Sequence, residues 1–386
     1  MKIALINNLY EPVARGGAER IVELQAEILR KAGHKVIVVT TKPWGLKLPK
    51  NDDGIFRVGG LPGSFYYLDK LPKPFRLFWH WLSWCDLLTP WYLSLRLAFT
   101  GCQVAVGHNL TGLSLWLPRY LSACNIRYIQ VLHDIQYLHP SGLMMRGHES
   151  IIATPIARLY QLLAKHWLKP AELVISPSEW LAESYIGNKV VPAKKILTLP
   201  NPVKVSTKAT DKPSKPFSFI FIGQLEPHKG ILELLKAFSG QRGDAKLVVA
   251  GDGSLRAQVQ NLASDDGRIE ILGRISQEEV VRQISTASML VMPSICYENF
   301  PTVILEAFAQ KTPVMGSEWG GIKELLGEGA GITANPLDPA KFASSLREAA
   351  EHDAARLKAY ADCAYKKVAS FEIDTYSKRF LQLIEN

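Results

Sequence analysis

The chain predicts an α/β protein of two doubly wound domains facing a cleft. Three observations carry this. Short apolar runs of strand length alternate with stretches of helical periodicity. The alternation restarts after a Pro- and Lys-rich stretch at 200–216. The 386 residues suffice for two domains of ordinary size. Apolar residues make up 47% of the chain and charged ones 21%, which excludes a disordered or fibrous class and allows full cores.

In order, residues 2–7 read as a buried strand. Residues 18–32 read as an amphipathic helix, with Ile21, Leu24 and Ile28 on one face and Glu23, Glu27 and Lys31 elsewhere. Gly33 is the expected helix stop before a strand at 35–40. Further strand-like runs lie at 103–106, 128–132, 173–176 and 196–199. Strands separated by helical patterns imply parallel βαβ units. After the linker, strands are expected at 217–222, 246–250, 269–272, 289–292 and 313–315, and 338–386 reads as mostly helical. The division expected is a first domain at 1–205, a second at 206–370 and a closing helix at 371–386.

The net charge of +9 is uneven. Residues 1–200 hold 23 Lys and Arg against 13 Asp and Glu; residues 201–386 hold 22 against 23. A basic half suits nucleic acid, anionic lipid or a phosphorylated substrate, and equally serves solubility alone. Cys85, Cys102, Cys124, Cys296 and Cys363 are odd in number and lack a C-x-x-C spacing, so neither a disulfide framework nor zinc is expected. The first apolar run is too short for a signal peptide. A cytoplasmic protein is the expectation.

Residues 65–99 break the alternation. They carry Phe65, Tyr66, Tyr67, Phe75, Phe78, Trp79, Trp81, Trp84, Trp91, Tyr92 and Phe99, interleaved with Lys70, Lys73, Arg76 and Arg96. That composition suits an interfacial membrane segment. Asp86, Pro90 and the flanking charges argue against a bilayer span. An aromatic helical pair packed on its own domain is an equal reading.

The most informative stretch is 297–308, which sets Glu298 and Glu306 eight positions apart. Glu298 falls in the loop after the 289–292 strand. Glu306 falls inside a helix starting near Thr302. Phe300, Pro301, Thr302 and Val303 form the turn and helix start, where unpaired N–H groups and the helix dipole favour an anion. Carboxylates suit vicinal hydroxyls. The picture is a nucleotide-sugar held by its phosphates at the helix end, its ribose on Glu306 and its hexose on Glu298.

This E-x7-E stretch resembles the signature of the retaining GT-B "group 1" glycosyltransferases, glycosyltransferase family 4. Other motifs follow in matching order. Arg15-Gly16-Gly17 precedes the first helix and offers free N–H groups; it is not the G-x-G-x-x-G of a dinucleotide enzyme. His133-Asp134 follows a strand at the edge where doubly wound sheets bind ligands. Gly223-Gln224-Leu225-Glu226-Pro227-His228-Lys229-Gly230 resembles the family's G-R-L-x-x-x-K-G loop. Gly251-Asp252-Gly253 and Gly273-Arg274 are turns on the same edge.

The resemblance implies two Rossmann-like domains, with the last helix packing back on the first. It implies that Gly16 and Gly17 touch donor phosphates and acceptor, that His133 sits by the donor sugar and diphosphate with Asp134 in support, and that Lys229 neutralises the leaving diphosphate. Gln224 stands where an Arg is common and brings no charge or fork; a protonated His228 would partly compensate. Gly273 and Arg274 would meet the nucleobase, and Gly320-Gly321 reads as structural. No D-x-D occurs, so no metal and no cofactor are expected beyond a donor, UDP-sugar first and GDP-mannose next. The partners expected are a glycan or lipid-linked acceptor and an anionic membrane face, not nucleic acid. The alternatives are a sugar-nucleotide epimerase or phosphorylase, and a non-catalytic nucleotide-sugar-binding subunit.

Overall fold

A computed structural model describes residues 1–13, 16–48, 54–204, 216–241 and 243–386. Arg15 and most of the 200–216 linker therefore lie outside the described residues. The described chain forms two wholly parallel sheets.

The first sheet contains β1 (Lys2–Ile6), β2 (Lys35–Thr41), β3 (Ile55–Val58), β4 (Val104–Gly107), β5 (Arg127–Val131), β6 (Leu173–Ser176) and β7 (Ile196–Thr198), in the order β3-β2-β1-β4-β5-β6-β7. The second contains β8 (Ser218–Ile222), β9 (Lys246–Ala250), β10 (Ile269–Gly273), β11 (Met289–Met292), β12 (Val314–Ser317) and β13 (Ile332–Ala334), in the order β10-β9-β8-β11-β12-β13. Strands β3 and β13 were not legible in the sequence. Each is an edge strand of three or four residues, too short for a pattern.

Both sheets are buried on both faces, so their strands read as near-continuous apolar runs. Beneath one face of the first sheet Ile3, Leu5 and Val38 pack with Val22, Ala26 and Leu29 of the helix Gly17–Lys31. Its other face packs Ala4, Ile6 and Ala105 with Leu121, Trp167 and Leu181. In the second sheet, Ile220 and Leu290 face one cluster, and Phe219, Val249 and Val291 the other.

The last helix, Ile373–Glu385, lies on the first sheet's side of the molecule. Its Tyr376, Phe380 and Ile384 join the cluster of Ile3 and Leu5. Gln25 Nε2 donates to the Tyr376 hydroxyl at 2.7 Å, and Arg127 donates to the carbonyls of Leu383 and Ile384 at 2.9 and 2.7 Å.

Strand order reverses between β1 and β4 and again between β8 and β11. Such switch points open a crevice at the carboxyl ends of the strands, where open α/β sheets bind ligands. Here both crevices open into one cleft. Among the described residues no helix is long and apolar enough to cross a membrane.

Candidate active site

The cleft has a volume of about 560 Å³ and draws its lining from both sheets. From the first come Gly16, Gly17, Asn109, His133 and Asp134, on the loops after β1, β4 and β5. From the second come Gly223, Gln224 and Lys229 after β8, and residues 298–303 with Glu306 after β11.

Glycines let these loops come close together. Gly230 has φ +69°, and a Cβ there would stand 1.8 Å from the Pro293 carbonyl oxygen. Only glycine lets the Lys229 loop lie against the β11 loop. Gly321 serves the neighbouring wall: a Cβ would meet the Asn299 carbonyl oxygen at 1.8 Å, while its N–H donates to the Glu298 carbonyl at 2.7 Å.

Glu298 and Lys229 form an ion pair, Nζ to Oε1 2.6 Å. The Glu298 side chain is only 14% exposed. Ser294 donates to the same oxygen at 3.0 Å. Burial alone raises a carboxyl, but Lys229 and Ser294 outweigh it and hold Glu298 below its usual range. For Lys229, burial works toward the neutral amine, and Glu298 outweighs it, so the ammonium is secured. Glu298 is thus a charged, fixed acceptor and Lys229 a fixed cation.

Glu306 projects from the helix Thr302–Ala309, whose N-terminal residues also line the cleft. Burial raises its carboxyl, opposed by Arg20 at 3.7 Å and by Gln277, which donates at 3.0 Å. The first-domain Arg20 and second-domain Gln277 therefore converge on one carboxylate.

His133 follows β5, and its ring stacks on buried His108 with centroids 5.1 Å apart. His108 Nδ1 and His133 Nε2 share one hydrogen bond of 2.8 Å. Burial lowers His133 to about 4, and lowers His108 well below the usual range with His133 adding to it. Both rings are neutral at neutral pH. The second domain reaches this corner too: Asn299 Nδ2 donates to the His133 carbonyl at 2.8 Å. Asp134 is pushed up to about 6 by burial, while the Gln136 N–H at 2.7 Å opposes it.

At the mouth of the first helix, the Gly16 N–H donates to Glu19 Oε2 at 3.0 Å. The Gly16 N–H is thus engaged and not free as expected from the sequence, while a Cβ on Gly17, at the cleft, would meet nothing within 4 Å.

Of the residues singled out from sequence, Gly16, Gly17, His133, Gln224, Lys229, Glu298, Phe300, Pro301, Thr302, Val303 and Glu306 line one cleft. Gly273 and Arg274 do not; Gly273 has φ +70° and its carbonyl accepts from the Gly251 N–H at 2.8 Å. The protonated His228 expected from the sequence is disfavoured: burial and adjacent Lys229 lower it from its ordinary value, against Glu298 and Glu226. The His228 carbonyl accepts from Ile295 and Cys296. Arg20, Asn109, Gln277 and Asn299 were missed. Arg20 lies one turn after Gly16 and was findable from that spacing; Gln277 belongs to no motif.

The two domains also meet beside the cleft. The Glu324 carboxylate accepts from the N–H groups of Glu179 and Trp180 at 3.0 and 2.9 Å, capping the first-domain helix Glu179–Gly187. Trp180 stacks on Tyr297, centroids 5.4 Å apart and 8° from parallel.

With known proteins the chain has clear likenesses. Residues 15–207 match the model of Glycosyltransferase Family 4, and residues 204–367 that of Glycosyl transferases group 1. An uncharacterised glycosyltransferase of Methanocaldococcus jannaschii is 26% identical, over 89% of this chain and 87% of that protein. Among solved structures, sucrose-phosphate synthase from Thermosynechococcus elongatus superposes with a TM-score of 0.73 at 21% identity, covering 99% and 98% of the two chains. An Anabaena protein solved with UDP superposes at 0.74 with 16% identity over all of both chains, and the same protein is also known with UDP-glucose.

Proposed function

Since the chain belongs to the group 1, family 4 glycosyltransferases and has their GT-B fold, we propose that it transfers a hexose from a nucleotide-diphosphate sugar with retention of anomeric configuration. A UDP-sugar is the favoured donor, supported by the UDP and UDP-glucose complexes of its Anabaena neighbour; GDP-mannose is next. The acceptor is a lipid-linked or cell-surface glycan met at the inner membrane face, which the basic first half supports.

One observation carries the reading. A fixed cation, a helix N-terminus and two buried carboxylates line a single cleft between the sheets. Breaking a sugar–diphosphate bond builds negative charge on the departing phosphate and positive charge at the anomeric carbon. Lys229 and the N–H groups at Phe300 and Thr302–Val303 answer the first without a metal. Glu298, held ionised, accepts from the hexose hydroxyls and faces the second. Glu306 accepts from the ribose hydroxyls, freed to do so by Arg20 and Gln277, which fix its carboxylate. His133 is neutral, so it gives the donor a hydrogen bond and not a charge. Gln224 adds a further donor to the diphosphate. Gly16 and Gly17 let the phosphates approach the first helix. Closure of the two walls would favour the acceptor over water.

A donor panel tests this: UDP-glucose, UDP-galactose, UDP-N-acetylglucosamine and GDP-mannose, followed by ligand-detected NMR and nucleoside-diphosphate release. One donor is expected to bind, and Glu306→Ala to weaken it. A folded protein that binds none sinks the proposal. Free epimerised sugar-nucleotide without acceptor would establish the epimerase instead.

A further inference from the structure

The helices Lys73–Cys85, Leu88–Phe99 and Pro155–Leu168 bury one apolar set, including Trp79, Leu93, Leu97, Tyr160 and Trp167, and leave a second apolar set outside. Ser83 and Ser94 are buried, while Phe75, Phe78 and Trp81 are each more than half exposed, Leu88 is 78% and Phe99 87% exposed. On the third helix Ile156 is 82% exposed, and Leu159 and Leu162 more than half. Trp84 joins the first helix to the third, its ring 5.3 Å from that of Tyr160. Phe78 and Trp81 stack on one another outside the core, ring centroids 6.0 Å apart, and clustered exposed apolar surface of this kind marks an interaction site.

Charge says which partner. The three helices contain no Asp or Glu at all, against Arg76, Arg96, Arg158 and Lys165. A second copy of the same surface would set cation against cation with no acid to pair. An anionic bilayer supplies both missing complements: phosphates for the cations and acyl chains for the aromatics. The surface is also tied to the cleft. Phe65, at the head of this region, packs its Cβ 3.0 Å from where one would lie on Gly112. Gly112 shares a loop with Asn109, which lines the cleft and pairs with Gln136 at 2.9 Å.

We infer that these three helices form one docking face that lays the protein on an anionic phospholipid surface. This deepens the membrane-face acceptor reading, and rests on it only for what is glycosylated there. The face gains aromatic anchors from the first two helices and aliphatic ones from the third, which the aromatic count in the sequence overlooked.

The test is co-sedimentation of the full chain with vesicles rich in phosphatidylglycerol and with vesicles of phosphatidylcholine, alongside UDP binding and sedimentation velocity. Wild type is expected to prefer the anionic vesicles and to lose that preference in high salt. Arg158→Gln with Lys165→Gln should weaken binding about tenfold or more. Phe78→Ser with Trp81→Ser should weaken it similarly, with UDP binding intact as proof of folding. Equal binding of wild type to both vesicles, or none, overturns the docking face. A wild-type dimer that those serine variants dissolve assigns the surface to self-association and also overturns it. Vesicle binding without any donor binding leaves the face standing and removes the glycosyl-transfer reading instead.

Discussion

The two domains share an architecture and differ in how they use charge. The second domain, nearly neutral by count, fixes its cleft charges by contact: Lys229 on Glu298, and Gln277, with Arg20 of the first domain, on Glu306. The first domain holds the excess cations, among them Arg76, Arg96, Arg158 and Lys165 on helices that also expose apolar side chains. On the proposed function, the second domain grips a small ligand of defined shape, and the first, besides its share of the cleft, meets a broad surface. Preorganised groups are worth most where water is excluded, and diffuse charge works at a distance.

The sharpest way to break that contrast is Lys229→Ala. It strips the leaving group of its cation and strands Glu298 as a buried charge. Nucleoside-diphosphate release should fall about 10³-fold. Near-normal turnover would mean that the second wall does not depend on its fixed pair.

Gly230→Ala comes next. The new Cβ collides with the Pro293 carbonyl in a left-handed backbone, and the cost should be about 2–4 kcal/mol in urea unfolding. The matching change at Gly17, where a Cβ meets nothing within 4 Å, should cost under about 1 kcal/mol. Equal costs would erase the difference in packing between the two walls.

Glu306→Gln keeps the shape but loses the charge that accepts from hydroxyls. Donor affinity should fall about tenfold. Gln224→Arg runs the other way and should tighten UDP binding a few-fold, since it adds a fork for the diphosphate.

The smallest effect concerns pH. Burial depresses His133 to about 4 from 6.5, so the unfolded chain takes up its proton first. Its share of stability is present above pH 6.5 and is lost as the pH falls toward 4. Asp134, raised to about 6 from 3.8, acts oppositely: its share is present below 3.8 and is lost as the pH rises through 6. Nitrogen-detected NMR should find His133 neutral down to pH 5. A midpoint near 6.5 would give the first wall a charged histidine and blur the contrast.

Much of this was legible from one sequence. The strand β11 and the helix start at Thr302 stood where the apolar run and Pro301 indicated, because a parallel strand buried on both faces leaves an uninterrupted signal. The cleft residues on loops after β1, β5 and β8 were found because glycine pairs and strand ends mark ligand edges. Gln277 escaped because it reaches the cleft through tertiary placement alone. His108 and Asn109 directly follow β4, where the same strand-end rule applied, but nothing nearby announces that the His108 ring will meet His133 across adjacent strands. Exposure was the least legible property. The aromatic segment showed its composition, but not that Ser83 would be buried and Phe78 left outside.

The Glu324 cap ties a large motion to a local one. Two amides at the start of the helix Glu179–Gly187 take their acceptor from the other domain, while Leu181 and Ala182 find theirs nearby, in Ser178. Whenever the walls part, Glu179 and Trp180 lose that acceptor and the first turn frays. Hydrogen exchange at those two amides then keeps time with the opening of the whole molecule, so the breathing of the cleft can be clocked at a site that never touches substrate.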